Sequence, residues 1–329
     1  MRTWWRSVTG LACAAILGLC CMSATAQDKV DPNLKSYQPV AGISGVLNGK
    51  GSDTLNNMMD LWVKGFMRVY PNVQATYLGE GSSTAPPALI EGTAQLGPMS
   101  RDMKPEEEEA IEQKYGVKPI KIAVGLDCLA VFVHKDNPVK ALTLQQLDCI
   151  FSSTRKSGFA DISSWGQVNK TLAANATWQK LPLSLYGRNS ASGTYVYFKE
   201  KALFKGDFKN TVKEQPGSAG VVNGVSSDLG GIGYSGVGYR TADVRMVPIA
   251  KDPKAAPVEP TFENALNGTY SLARAMYIYV VKKPNEPLPP LVHEFLKYTL
   301  SKEGQEIVVQ DGFGPLPLTV VNKELKKLQ

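Results

Sequence analysis

Residues 187–199 read GRNSASGTYVYFK: an arginine, three hydroxyl side chains and a bare glycine stand directly ahead of a helical stretch, with no histidine or acid beside them. Nucleophilic catalysis by serine needs a neighbouring base, and this segment offers none. What it can offer is a set of donors. Backbone N–H groups at a helix start, short hydroxyls and a forked guanidinium all suit an anion.

Two more places share this design. GSDTLNNMMDLWVKGFMRVYP starts at Gly51 with Ser52, Asp53 and Thr54, and Leu55, Met59, Trp62, Phe66 and Val69 then recur at helical spacing until Pro71. YLGEGSSTAPPALIEG runs a strand into Gly79 and Gly81, then Ser82, Ser83 and Thr84, with prolines suited to a first helical turn. In the third, the strand LPLSLYG leads to Arg188, Ser192, Gly193 and Thr194. Any one of these loops reads equally as ordinary helix capping. Three in one chain, one carrying an arginine, suggest that they gather around a single oxyanion, with Arg188 as its main countercharge.

The elements that must position these loops alternate along the chain. VQATYL, KIAVGLDCLAVFVH, LPLSLYG, GGIGYSG, RMVPIA and AMYIYVV read as strands, with helical patterns between several of them. That alternation indicates α/β architecture with mainly parallel sheets. Ligands of such folds sit at the carboxyl ends of the strands.

The first residues set the compartment. Arg2 and Arg6 precede an apolar run from Leu11 to Met22, followed by Ala24-Thr25-Ala26, the three-part layout of a secretory signal cut after Ala26. The run is shorter than the roughly 20 residues of a spanning helix. A lipid-anchored reading at Cys20 or Cys21 is weaker, because Leu19 and Cys20 are poor small residues for the preceding position. Removal of residues 1–26 leaves Cys128 and Cys149, and lowers the basic count from 36 to 34 against 30 acidic residues. The two cysteines are either one disulfide or two buried thiols. A mild positive balance without a basic block carries no nucleic-acid footprint.

Several motifs fail on inspection. SGVLNGKGSDT has its glycines one residue too close for a phosphate-binding P-loop, and Gly51 follows Lys50 where Ser or Thr is required. GYSGVG places Val237 where a hydrolase elbow needs glycine. His134 and His293 are the only histidines, and neither has a metal-spaced partner, so no metal or cofactor is expected. PEEEEAIEQKYG reads as an acidic, solvated helix start.

GSDTL at 51, GEGSSTAPPAL at 79, QLGPMSRDMK at 95, GRNSASGTYVYFK at 187, EQPGSAGVV at 214, GIGYSGVGY at 231 and SKEGQEIVVQDGFGPLP at 301 together resemble the periplasmic phosphate-binding proteins of bacterial ABC transporters. The resemblance runs in order from about residue 43 to 318. It implies a two-lobed type II periplasmic-binding fold with ligand in the interlobe cleft: residues 43–126 plus 250–329 in one lobe, 127–249 in the other, and crossings near GLDCLAV and YRTADVRMVPIA. It implies a monomeric, exported, non-enzymatic receptor that binds inorganic phosphate and delivers it to a membrane permease. By position, Thr54 and the Leu55 backbone match the family's first anion loop, Ser82 the second, and Arg188, Ser192, Gly193 and Thr194 the third.

One position departs from the pattern. Many relatives carry an aspartate that accepts the phosphate proton where this chain has Ser100, followed by Arg101. Asp53 is the candidate replacement acceptor, with Asp102 and Glu80 behind it, and Arg101 is either a second cationic contact or the partner of a surface acid. Other tetrahedral oxyanions such as sulfate or molybdate, a serine-dependent phosphoester hydrolase, and an adhesin on the same scaffold are the competing readings.

Overall fold

The computed structural model describes residues 29–329; the expected signal segment, residues 1–26, lies outside the described residues. In chain order the elements are β1 (Gly45–Lys50), α1 (Asn56–Val69), β2 (Val73–Leu78), α2 (Ala85–Glu91), β3 (Gly97–Met99), α3 (Pro105–Tyr115), β4 (Ile120–His134), β5 (Leu142–Thr143), α4 (Leu144–Phe151) and α5 (Lys170–Ala173). They continue as β6 (Ser184–Arg188), α6 (Gly193–Lys201), β7 (Lys213–Gln215), α7 (Ser218–Ser226), β8 (Gly231–Gly236), β9 (Val244–Met246), β10 (Ile249–Ala250), α8 (Phe262–Leu266), β11 (Ala273–Val280), α9 (Pro290–Thr299), α10 (Lys302–Gln310) and α11 (Leu318–Lys326).

Two large apolar clusters define two lobes. The first is built from residues between Leu34 and Val124 together with Met276 to Leu328, around Trp62, Phe66 and Phe295. The second runs from Cys128 to Leu272, around Phe151, Trp165, Phe198 and Tyr234. In α1 the predicted periodicity holds: Met59, Trp62 and Phe66 are fully buried, and Pro71 follows the helix end.

The lobes share one sheet, ordered β3-β11-β4-β8-β6-β7 with β9 also on β4. Strand β4 spans 15 residues and passes from one cluster to the other, placing Ile122 and Val124 in the first and Leu129, Val131 and Val133 in the second. Its antiparallel partner β11 makes the return, with Met276, Ile278 and Val280 in the first cluster. The crossings therefore lie near residues 124–128 and 272–276. The second does not fall near 239–250, because Ile249, Val258, Phe262, Tyr270 and Leu272 pack with the second lobe, which takes in residues 250–272 as well.

Within each lobe, parallel pairs aim loops toward the boundary. β1 pairs with β2 in the first, and β6 pairs with β7 and β8 in the second. The loops after β1, β2, β3 and β6 are those that carry Asp53, Ser82, Ser100 and Ser192.

Cys128 and Cys149 are both buried and are not joined to each other; the Cys128 thiol donates to the Thr261 carbonyl at 3.3 Å. No helix among the described residues is long and apolar enough to cross a membrane.

Candidate functional site

Each predicted loop forms a tight turn into a helix. After β1, Ser52 caps a 3-10 turn over Asp53–Leu55 that leads into α1, its Oγ accepting from the Thr54 N–H. After β2, a second 3-10 turn over Ser82–Thr84 leads into α2, with proline in the first turn. After β6, Ser192 caps α6, accepting from the N–H groups of Thr194 (3.1 Å) and Tyr195 (3.4 Å).

The three turns meet between the lobes. Thr54 Oγ1 lies 2.9 Å from Thr194 Oγ1, and the Ser83 N–H donates to the Ala191 carbonyl at 3.1 Å. Gly193 is packed so tightly that a Cβ there would lie 2.3 Å from Ser82 Oγ and 2.7 Å from Ser100 Oγ. Gly81, at φ 112°, approaches Ala191 with equal closeness, in a backbone region that glycine alone adopts readily. Both glycines permit a contact between lobes that any side chain would block.

Ser100, on the loop after β3, is fully buried here: its N–H donates to Ser82 Oγ at 3.1 Å, and its own Oγ accepts from Ser52 Oγ at 2.9 Å. Ser52 and Ser82 thus each accept one backbone N–H and Ser192 accepts two, while Ser82 Oγ also lies 3.4 Å from Ser100 Oγ. Ser192 keeps its hydroxyl hydrogen for another acceptor.

Arg188 closes the cluster. It is 2 % exposed, donates from Nη1 to Ser218 Oγ (2.7 Å) and from Nη2 to the Pro216 carbonyl (3.0 Å), and forms an ion pair with Asp53 Oδ2 at 3.0 Å. Its buried Nε has no hydrogen-bond partner among the described residues. Burial pushes the guanidinium pKa down while Asp53 opposes that shift, and arginine stays charged under such conditions. Asp53 Oδ2 also accepts from the N–H and the hydroxyl of Ser218, each at 2.8 Å.

Two expected contacts are directed elsewhere. The Leu55 N–H turns back to the Ser52 carbonyl at 3.2 Å, closing its own 3-10 turn, and its side chain is fully buried in the first core. Arg101 places both Nη atoms on the Glu107 carboxylate at 2.7 Å, with a further bond from Nη2 to Ser83 Oγ. The acidic start of α3, read as solvated, supplies that partner. Glu80 pairs with Lys50 and Asp102 with Lys121 at the surface, leaving Asp53 as the expected acceptor that reaches the cluster. His134 lies beside Asp136, and His293 beside Glu294 on α9, so neither joins these hydroxyls.

Sequence reasoning named Ser52 only as part of the first loop and missed Ser218, Asp127 and Arg274. Ser52 and Ser218 each stand at a turn into a helix, a signal shared with many ordinary caps. Arg274 donates to Thr194 Oγ1 at 2.9 Å and to Asp127 Oδ2 at 2.9 and 2.7 Å. A cavity of about 620 Å³ beside Gln145, Cys149 and Phe159 in the second lobe shares no lining residue with the cluster.

A family described as the PBP superfamily domain matches residues 24–303. The chain belongs to the PBP superfamily. Among PBP relatives, the phosphate-binding protein PstS of Pseudomonas aeruginosa is 56 % identical over 93 % of this chain and 94 % of its own. PstS of Staphylococcus haemolyticus is 28 % identical over 87 % of this chain and 86 % of its own. A solved structure from Clostridium perfringens, described as a putative phosphate ABC transporter substrate-binding protein with bound phosphate, superposes with a TM-score of 0.69. It is 27 % identical and covers 83 % of this chain and all of its own. A phosphate transport receptor from Vibrio cholerae, 20 % identical with a TM-score of 0.63 over 82 % of this chain and all of its own, shares the two-lobed PBP fold.

Proposed function

We propose that this PBP-superfamily chain is an exported, extracytoplasmic receptor that binds inorganic phosphate between its lobes and hands it, as a monomer, to the membrane permease of an ABC transporter. The observation that carries the reading is the concentration of donors in the buried cluster. The hydroxyl of Ser192 has both lone pairs engaged by protein N–H groups, that of Ser82 accepts one, and Nε of Arg188 is buried without an acceptor among the described residues. A buried donor without a partner costs about 1–3 kcal/mol, which an acceptor-rich anion relieves. The 56 % identity to a protein named for phosphate binding supports the choice of anion.

In this reading Thr54, Ser82, Ser100, Arg188, Ser192, Gly193 and Thr194 surround the phosphate. Leu55 and Arg101 are left out because the Leu55 N–H and both Nη atoms of Arg101 are engaged elsewhere. Asp53 accepts the phosphate proton: its Oδ2 receives Arg188 and Ser218, while Oδ1 receives no hydrogen bond among the described residues. Because donors come from both lobes, bound anion favours the closed arrangement over the open one, and closure follows from that difference in affinity. The function is capture and release without turnover.

Equilibrium dialysis of the mature protein with labelled phosphate, with sulfate as competitor, tests the reading. Saturable binding at about micromolar or tighter, roughly −8 kcal/mol or better, is expected. Preference for sulfate or molybdate would reassign the anion, and absence of saturable oxyanion binding would overturn the proposal.

A further inference from the structure

The two strands that cross between the lobes each bury one charge among apolar neighbours at the crossing. Asp127 on β4 and Arg274 on β11 are direct register partners. Asp127 is fully buried and Arg274 nearly so. Nε and Nη2 of Arg274 both donate to Asp127 Oδ2, and Asp127 Oδ1 accepts the Val237 N–H at 3.1 Å, so both carboxylate oxygens are engaged. The face of Tyr197 lies 5.3 Å from the guanidinium carbon. Nη1 is buried without a hydrogen-bond partner among the described residues.

Stability alone gives a weak reason for such a pair. Well-packed apolar residues in place of a buried ion pair are often neutral or stabilising, because removing two charges from water is costly. What distinguishes this pair is where its remaining bond goes. Nη2 also donates to Thr194 Oγ1, which in turn faces Thr54 Oγ1 of the other lobe at 2.9 Å.

A guanidinium has no lone pair. Thr194 can therefore only accept from Arg274, and its own hydrogen must point elsewhere: to Thr54 or to a ligand between them. We propose that Arg274 is a positioning residue of the anion site, which fixes the Thr194 hydroxyl as a donor and, through Asp127, ties anion occupancy to the crossing strands. Asp127 holds the guanidinium in register, and Arg274 orients Thr194. Thr194 then presents its hydrogen at the point where the lobes meet. A rotatable hydroxyl is thereby made into a directed donor before ligand arrives, so less orientational freedom is lost on binding.

This inference rests on the phosphate reading, and the experiment separates the two. Phosphate binding by the parent protein tests that reading, and the variants test Arg274. The neutral pair Asp127→Asn with Arg274→Gln avoids stranding a buried charge. It is compared with Thr194→Val and with the triple variant, by isothermal titration with phosphate and by thermal unfolding without it. The expected result is a folded neutral-pair variant whose affinity falls tenfold or more, with little further loss when Thr194→Val is added, because the two residues act in series. Unchanged affinity in the folded neutral pair would overturn the proposal, as would losses at Arg274 and Thr194 that simply multiply. Should the neutral pair fail to fold, Arg274→Lys supplies the same cycle. Lysine keeps the charge but lacks the fork, so its loss should likewise vanish in the Thr194→Val background, and an independent loss there would refute the role.

Discussion

Asp53 of the first lobe places its Oδ2 3.0 Å from Nη1 of Arg188 in the second. The guanidinium is almost fully buried and the carboxylate only partly so, so the closed arrangement neutralises its main cation before any ligand is present. An entering anion must share Arg188 with Asp53. Asp53 is therefore both a latch between the lobes and a competitor for the anion's charge, and only an anion bearing a proton can turn its nearness into a hydrogen bond.

Asp53→Asn separates those roles. The amide keeps the shape but loses the charge, leaving a buried guanidinium less well compensated. Ligand-free stability should fall by about 2–3 kcal/mol, below the usual cost of breaking a fully buried pair because Asp53 is partly exposed. The phosphate-over-sulfate ratio should fall about tenfold or more, in line with loss of one buried acceptor. Competition dialysis reads the ratio, and an unchanged ratio would remove Asp53 as the proton acceptor.

Gly193→Ala tests closure itself. The added methyl would stand 2.3 Å from Ser82 Oγ and 2.7 Å from Ser100 Oγ, both buried and both on the opposite lobe. Gly193 begins α6, where alanine is otherwise favourable. Each lobe should therefore fold normally while the two cannot meet. Phosphate affinity is expected to drop about a hundredfold, roughly 3 kcal/mol, and small-angle scattering should show an expanded particle that phosphate does not compact. Wild-type affinity in this variant would mean that the loops do not close on the ligand as described.

Ser82→Ala should weaken binding without opening the cleft. Ser82 Oγ is the acceptor for the buried Ser100 N–H, so alanine strands that donor as well as removing a hydroxyl. A loss of about ten- to a hundredfold in affinity is expected, equivalent to about 1–3 kcal/mol. Ser83→Ala is the control, since Ser83 Oγ is bonded to Arg101 rather than to this network. Equal effects at both positions would argue against the specific role of Ser82.

The three loops were legible in the sequence because their chemistry is local. Glycine, hydroxyl and helix start lie within a few residues of each other, and VQATYL and LPLSLYG mark the strands ahead of two of them, whereas β1 ahead of Gly51 is not among the strands the pattern names. The Asp127–Arg274 pair was not, because its members lie 147 residues apart and meet only through the register of β4 with β11. A trace was present nonetheless: GLDCLAV and LARAMYIYV each hold a single charge inside an apolar strand, and opposite lone charges in two such strands invite pairing. The return crossing was misplaced for a related reason. Proline and glycine content marks loops, whereas lobe membership of residues 250–272 is decided by where Tyr270 and Leu272 are buried, which composition does not encode. Glu107 illustrates the same limit, since a carboxylate six residues beyond Arg101 becomes its partner only once α3 folds back.

Asp311 gives the protein a pH-dependent stability that has nothing to do with its ligand. It follows α10, with one carboxylate oxygen buried and unpartnered, and burial pushes its pKa up to about 7 despite hydrogen bonds from Asn57 and Met58. The folded state then holds this proton more tightly than the unfolded chain does. Its contribution to stability is fully present below the ordinary aspartate value near 4 and is lost as pH rises through about 7. At pH 8 the charged carboxylate is a net cost that Asp311→Asn removes. The variant should exceed the parent by about 1–3 kcal/mol in urea unfolding at pH 8, with the advantage shrinking progressively toward pH 4. A difference that stays constant across that range would place the effect in packing rather than in the titration of Asp311.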